Sequence, residues 1–511
     1  MTTNSTRFFL FWLGGITLLR LLWHLLLNPV GIMGDEAYNW DWGRHLAWGY
    51  YSKPPGSAWL HGLVNALSGG SLFAIKATST LLAGLSTLFF YLTLRHLFGQ
   101  RFAFWTGLLY LLAPGQLVVS SILTADAQLL CYWNLSLFAA VRILFPKEAA
   151  PPGWAWAVLF VALALGHLAK QMMLVNIVLF LLATLLIRPA LLRNPLTYLV
   201  PVLSLISLVP PLYWNSQHDW ITFQHTAHHF EPDKFEIGGI LERFGVLALL
   251  TAVLLNPLAL AAIPMSLRRW ISEKRAIAPK FLFLILYGPL PFAVMFLMTF
   301  RQDVNPNWPG AYHGGTLACA ASLFLLTDPR ANVRGKLFKF ALIFPAALTT
   351  LVLLAFPLAE TLFKVIPAAR AQNRTAWGFP ELAREVASHD PDRRHAIILH
   401  GHRDVASQLA FNMPGQPEVH VWNEKPTINH QYDFWAGPEP GQPALVVIAR
   451  KKKTSRGTPS EVMLQHLGPL EYLAEYDLHP SREYPRFRVY RTPSVTSWPS
   501  PVPGSRRGIE P

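Results

Sequence analysis

The residues best equipped for chemistry lie between apolar runs rather than within them. Two adjacent acids, Asp35 and Glu36, follow Gly34 just beyond the first apolar stretch, and the same loop continues through Tyr38, Trp42, Trp48, Tyr51 and Lys53 to Pro54-Pro55. Acids beside a bilayer are unfavourable and tend to mark function, which singles out this pair. Later turns add Thr124-Ala125-Asp126, then Lys170-Gln171, then Arg301, with Asn307 and Trp308 closing the same turn. If the intervening helices form one bundle, these turns converge on a single outer face. An acid, cations and aromatic rings meeting there suit a sugar phosphate.

The elements that must position these groups are membrane spans. Hydrophobic residues make up 52% of the 511-residue chain and charged residues only 14%, whereas soluble domains average about a quarter charged. Eleven apolar runs approach or reach spanning length, near 8–27, 71–94, 102–122, 127–145, 154–168, 172–187, 196–214, 244–264, 281–300, 308–326 and 337–357. With the N-terminus inside, lysines and arginines are concentrated in the cytoplasmic loops over the outer ones, and the positive-inside rule sets this orientation. The first run is read as a retained helix, with no obvious small-x-small cleavage site near its end, and a cleaved signal is the alternative. The net charge of +14 resides in short clusters between apolar runs, a pattern of membrane orientation and anionic lipid contact rather than of nucleic-acid binding. Cys131 and Cys319 both lie in apolar runs, so a disulfide framework is excluded.

The expected fold is therefore an all-α polytopic membrane bundle over residues 1–357, with interfacial helices in the first outer loop. Strand-like runs at Ala396–Leu399, Ala444–Ala449 and Phe487–Tyr490 predict a small α/β domain over 358–495, on the periplasmic side after eleven crossings. The tail 496–511 is rich in Pro, Ser, Gly and Arg and reads as disordered.

The motifs Asp35-Glu36-Ala37-Tyr38, Tyr51-Ser52-Lys53-Pro54-Pro55 and Thr124-Ala125-Asp126 resemble the bacterial protein-mannosyltransferase-like group, glycosyltransferase family 39, with its aminoarabinose-transferase relatives. Asn307-Trp308-Pro309 and Asn429-His430-Gln431-Tyr432-Asp433-Phe434-Trp435 are similar to that group as well. The resemblance implies a GT-C fold and an inverting transferase of the inner membrane, fed by a polyprenyl-phosphate sugar. Its acceptor would be lipid A, lipopolysaccharide core, another envelope glycan or a protein. By the same resemblance Asp35 is the catalytic acid, able to take the proton of an acceptor hydroxyl, and Asp126 the second acid. Lys53 meets the donor phosphate and stabilises the leaving group. Glu36, Tyr51, Lys170, Arg301, Asn307 and Trp308 are candidate substrate contacts. Ser52 stands where aminoarabinose transferases carry an acid that helps bind metal, so metal ligands are left unassigned and a divalent metal stays open. A lipid-linked sugar flippase or another transporter is the alternative, although transporters often place polar groups at the midplane between symmetric halves.

Other polar groups read more plainly. Tyr38, Trp42 and Trp48 suit rings at headgroup depth. The cluster His225, His228, His229 and Glu231 reads as a solvated outer loop, with zinc binding by His225 and His229 at i, i+4 as the alternative; Lys76 reads as snorkelling to the interface, and His400-Gly401-His402-Arg403-Asp404 as a loop after a strand.

Overall fold

The computed structural model describes residues 4–27, 31–228, 230–231, 236–273, 278–325, 332–355, 378–425, 427–450, 457–477 and 486–499. Helices α1 (Asn4–Leu26), α2 (Gly34–Arg44), α3 (Gly56–Ser68), α4 (Leu72–Phe98), α5 (Gln100–Leu112), α6 (Pro114–Ser121), α7 (Ala125–Leu144), α8 (Gly153–Ala169) and α9 (Met173–Ile187) form the first part of a bundle. Helices α10 (Leu196–Ser204), α11 (Val209–Ser216), α12 (Ile221–His228), α13 (Ile237–Leu254), α14 (Pro257–Glu273), α15 (Pro279–Leu286), α16 (Pro289–Met298), α17 (His313–Leu325) and α18 (Asn332–Ala355) follow.

Within the described residues the apolar runs are largely helical, but the spans are less uniform than the runs. Among the described residues six helical stretches are long and apolar enough to cross a membrane, two of them formed by α10 with α11 and by α15 with α16, or seven if the bent pair α5–α6 is one span. Helices such as α8, with 17 residues, and α9, with 15, fall short of the roughly 20 residues that cross a hydrocarbon core upright. The run 244–264 is split at Leu255-Asn256, because Pro257 opens α14 and has no N–H to continue α13. Exposed leucines and valines along α1, α10 and α13, including Leu18, Leu22, Leu199, Val202, Leu241 and Leu249, have lipid as their only reasonable solvent. The chain is a multi-pass membrane protein.

One bend matters for the site. Pro114 starts α6 at 60° to α5, and Ala113 between them is extended. The last carbonyls of α6 cannot be satisfied within the helix. Side chains of α4 satisfy them instead: Ser79 Oγ donates to Val119 O (2.6 Å), Thr80 Oγ1 to Ser120 O (2.8 Å) and Lys76 Nζ to Ser121 O (2.8 Å). The turn carrying Asp126 is thereby anchored to α4.

The C-terminal unit is a five-stranded sheet of β1 (Ala396–His400), β2 (Val419–Val421), β3 (Ala444–Arg450), β4 (Glu471–Asp477) and β5 (Arg486–Thr492), in the order β2-β1-β3-β5-β4. Strands β2, β1 and β3 are parallel, while β5 pairs antiparallel with β3 and β4. Strands β1, β3 and β5 are the expected ones; β2 and β4 were not evident in the sequence, β2 because it has three residues and β4 because it alternates charge with aromatics. Successive side chains of a strand face opposite ways, and here the two faces have different partners. Ile398, Val446 and Ile448 pack with Met463 and Leu467. Ile397, Leu399, Leu445, Val447 and Val489 share one core with Ala37, Tyr38, Trp40 and Trp42 of α2. That shared core docks the sheet unit onto the first loop through the helices Phe379–Ser388 and Arg403–Asn412.

This docking corrects two expectations. Tyr38 and Trp42 are 2% and 1% exposed, covered by protein rather than standing at headgroup depth; Trp48, at 59%, remains free to do so. The tail does not begin at 496, since the amides of Thr496 and Ser497 donate to His466 O and Trp498 packs on Trp422. Residues 500–511 lie outside the described residues.

Candidate functional site

The first turn of α2 sends its two acids to different fates. Glu36 is fully buried. It accepts hydrogen bonds from Met33 N (3.2 Å) and Leu123 N (2.7 Å) and pairs with Lys76, which is equally buried. Glu36 was an expected substrate contact and Lys76 an expected snorkeller; the structure makes both a buried clamp joining α2, α4 and the end of α6. An isolated charge in such a place would be severely penalised, so the two depend on each other. Asp35, one residue earlier, is 59% exposed and open to a substrate.

What faces Asp35 comes from the other end of the chain. Gly34 permits the approach, since a Cβ there would sit 3.0 Å from the side chain of Asp404. Arg403 Nη2 lies 3.8 Å from Asp35 Oδ1 and Arg403 Nε 3.5 Å from Asp404 Oδ1. The guanidinium also lies over the Tyr38 ring, 5.0 Å from its centroid. Burial pushes the Asp404 carboxyl up, but the hydrogen bond from His402 and the charges of His402 and Arg403 outweigh it and hold the group below the usual carboxylate value. The segment His400–Asp404 is thus no idle loop. The signal that could have found it was its place directly after a strand and at a helix start; what was missing was the partner, more than 350 residues away in sequence.

The motif 429–435 straps the loop down. Gln431 N donates to Tyr38 Oη (2.6 Å), Tyr51 N to Gln431 Oε1 (2.7 Å) and Tyr432 Oη to Asp41 Oδ2 (2.6 Å). The Tyr51 ring is buried among Trp214 and Ile221 and lies 4.8 Å from the His225 ring.

A second cluster gathers at Asp126, in the first turn of α7. Lys170 Nζ donates to its Oδ1 (2.7 Å) and Asn307 Nδ2 to its Oδ2 (2.9 Å), and Lys53 is within electrostatic reach. Gly56 makes this possible, because a Cβ there would meet Leu168 O at 2.5 Å, and its absence lets the Lys53-Pro54-Pro55 strip close on the end of α8 beside Lys170. The strip therefore joins the two clusters, with Tyr51 at one end and Lys53 at the other. Two other expected contacts meet Phe230: Arg301 Nη2 donates to its carbonyl (3.3 Å) and Trp308 stacks on its ring.

Of the histidine cluster, His228 pairs with Glu231 at 3.1 Å and His229 lies outside the described residues. Among the described residues no three His, Cys, Asp or Glu side chains are close enough together to hold a metal.

At the opposite end of α2 a cavity of about 340 Å³ is lined by Asp41, His45, Glu418, His420, Tyr432 and Trp435 among others. Burial pushes the Asp41 carboxyl up to about 6, against the lowering influence of Arg44 and the Tyr432 hydroxyl. Folding thus favours the protonated form. Stability from this group is complete below the unfolded value near 4 and is lost as pH rises through about 6. Asp41→Asn is expected to raise the melting temperature at pH 7.5 and to leave it nearly unchanged at pH 4, the gain corresponding to at most about 3 kcal/mol. Thermal unfolding of the detergent-solubilised protein at both values checks this, and a substitution with the same effect at both would show that folding does not raise the Asp41 pKa.

Residues 52–214 match the model of the dolichyl-phosphate-mannose-protein mannosyltransferase family. The chain is 26% identical over 417 residues, 78% of its own length and 81% of the relative's, to the lipid A galacturonosyltransferase RgtD of Rhizobium johnstonii. It is 34% identical to an undecaprenyl phosphate-α-4-amino-4-deoxy-L-arabinose arabinosyl transferase of Pseudomonas fluorescens over 125 residues, 24% of this chain and 21% of that one. The fold is that of ArnT from Cupriavidus metallidurans in the apo state, with a TM-score of 0.64 at 17% identity over 95% of this chain and 98% of that one.

Proposed function

We propose that this chain, a membrane glycosyltransferase of the GT-C fold, transfers a sugar from a polyprenyl phosphate to lipid A at the periplasmic face of the inner membrane, with Asp35 as base. The observation that carries this reading is the exposed Asp35 carboxylate at the junction of the first loop and the sheet unit, one strip of chain from Lys53 and Asp126. The long relative acts on lipid A, and the solved ArnT fold has also been captured bound to undecaprenyl phosphate, which supports donor and acceptor alike. The asymmetry of basic residues between loops supports placing this junction, and the domain of 358–495, outside.

In the reaction Asp35 takes the proton of an acceptor hydroxyl as its oxygen attacks the anomeric carbon from the side opposite the phosphate. The carbon–oxygen bond to the phosphate breaks, and the electron pair leaves with polyprenyl phosphate, whose charge grows from one to two. Lys53 is the cation placed to meet that growing charge. Asp126, already neutralised by Lys170, holds the strip and the Asn307 turn in position. One displacement with one base inverts the anomeric centre, whereas retention would need a nucleophile and a second step.

Purified protein in bilayers, supplied with radiolabelled polyprenyl-phosphate sugar and lipid A, is expected to move label into lipid A and release free polyprenyl phosphate. Label that only changes leaflet, with the donor intact, would establish a flippase instead.

A further inference from the structure

We infer that Arg403, supplied by the C-terminal sheet unit, binds the carboxylate of an acidic donor sugar, so that the protein selects a hexuronate over neutral and amino sugars. The inference rests on the transferase reading above and adds the substrate class to it. The two kinds of relative carry opposite charges on their sugars, a carboxylate on galacturonate and an amine on aminoarabinose, and homology alone does not choose between them. The group facing the base does.

Arg403 Nε is buried without a hydrogen-bond partner. Its contacts to Asp404 and Asp35, at 3.5 and 3.8 Å, exceed the 2.7–3.2 Å of a well-formed hydrogen bond. A guanidinium has five donors in a planar fork that fits a carboxylate in bidentate fashion, and leaving buried donors unspent is costly unless a ligand takes them. The group is also held in place. It opens the helix Arg403–Asn412 directly behind β1 and lies over Tyr38, which itself stacks on Tyr432 at 5.6 Å. The side chain retains 26% exposure, enough for a ligand to reach it.

A sugar carboxylate seated on Arg403 would lie within one pyranose ring of Asp35, which places the anomeric carbon near the base. Asp404 is paired with His402, 3.4 Å away, and Asp35 is kept for the proton. An ammonium on the sugar would be brought against a guanidinium, and like charges in a partly buried site disfavour it.

The test uses the full-length protein in bilayers, with intact or dephosphorylated lipid A and three polyprenyl-phosphate donors: a hexuronate, the hexose that differs only in carrying CH2OH for the carboxylate, and an amino pentose. Wild type is expected to prefer the uronate by about 100-fold in kcat/KM, the range of one charge-assisted recognition contact. In Arg403→Gln that preference ratio should fall about 100-fold, mainly through KM for the uronate, whatever change is common to uronate and hexose. Arg403→Lys should retain part of it. A loss equal for uronate and hexose, a shifted pH profile without loss of preference, or a loss that disappears with dephosphorylated lipid A would overturn the inference, the last by assigning Arg403 to the acceptor phosphate. Wild type that prefers the hexose or an amino pentose overturns this inference alone. Wild type that transfers neither acidic, neutral nor amino sugar overturns the transferase reading instead.

Discussion

Asp35→Asn is expected to lower sugar transfer by about 10³-fold, within the 10²–10⁴ that a positioned general base contributes. The substitution keeps the size of the side chain and removes its ability to accept a proton. Because Asp35 is 59% exposed and its contact to Arg403 is long, at 3.8 Å, the loss of that ion pair should change stability by less than about 1 kcal/mol. The protein should therefore accumulate normally and bind donor with little change, so that the defect appears in kcat. Asp126→Asn should behave differently. Asp126 is already bound to Lys170 and Asn307, and its removal frees a cation and loosens a turn, an effect on KM and kcat together. Single-turnover assays on both variants separate these roles. Turnover near the wild-type rate in Asp35→Asn would remove it as the base, whatever Asp126→Asn does.

The largest stability effect is expected one residue further on. Glu36 and Lys76 are both completely buried, and removing either charge leaves the other without compensation, a cost of about 3–5 kcal/mol. That is a large part of the roughly 5–15 kcal/mol by which folded domains are stable. Lys76→Met is expected to lower both yield and melting temperature steeply, since the buried Glu36 carboxyl would lose its counter-ion. Glu36→Gln should be nearly as damaging, because the buried Lys76 would be left with neutral acceptors, the Ser121 carbonyl and the glutamine amide oxygen, and no counter-charge. The double variant Glu36→Gln/Lys76→Met should recover much of the loss, because a neutral pair carries no desolvation penalty. Coupling between the two positions is the measurable quantity. Single variants as stable as wild type, or a double variant no better than the worse single, would show that this pair does not hold the loop.

These two neighbours illustrate what a sequence can express. Asp35 and Glu36 are chemically similar and adjacent, and as text they are equivalent candidates. Their fates diverge because a helix turns by about 100° per residue, so one carboxylate points outward and the next inward to Lys76. Only the packing of α4 against α2 reveals which is which. Lys76 looked like a snorkelling side chain for the same reason: its partner is forty positions away and its burial depends on a bend at Pro114.

The sequence by itself determined the membrane bundle, because hydropathy is local and a run of apolar residues declares its solvent without reference to any other segment. It also determined which turns carry the acid, the cations and the Tyr51–Pro55 strip, since polar groups between spans have few structural reasons to be there. The sheet was legible where strands are continuously apolar, as in β1 and β3, and illegible in β2 and β4, where length or alternating charge hides them. The tertiary structure alone decided which of these groups meet: that Asp126 binds Lys170 and Asn307 while Arg301 turns to Phe230, and that Arg403 crosses from the sheet unit to Asp35. The physical reason is that contacts between distant segments follow from packing of whole surfaces, here the buried face of β1 and β3 against α2, and no periodicity or spacing within either segment encodes that docking.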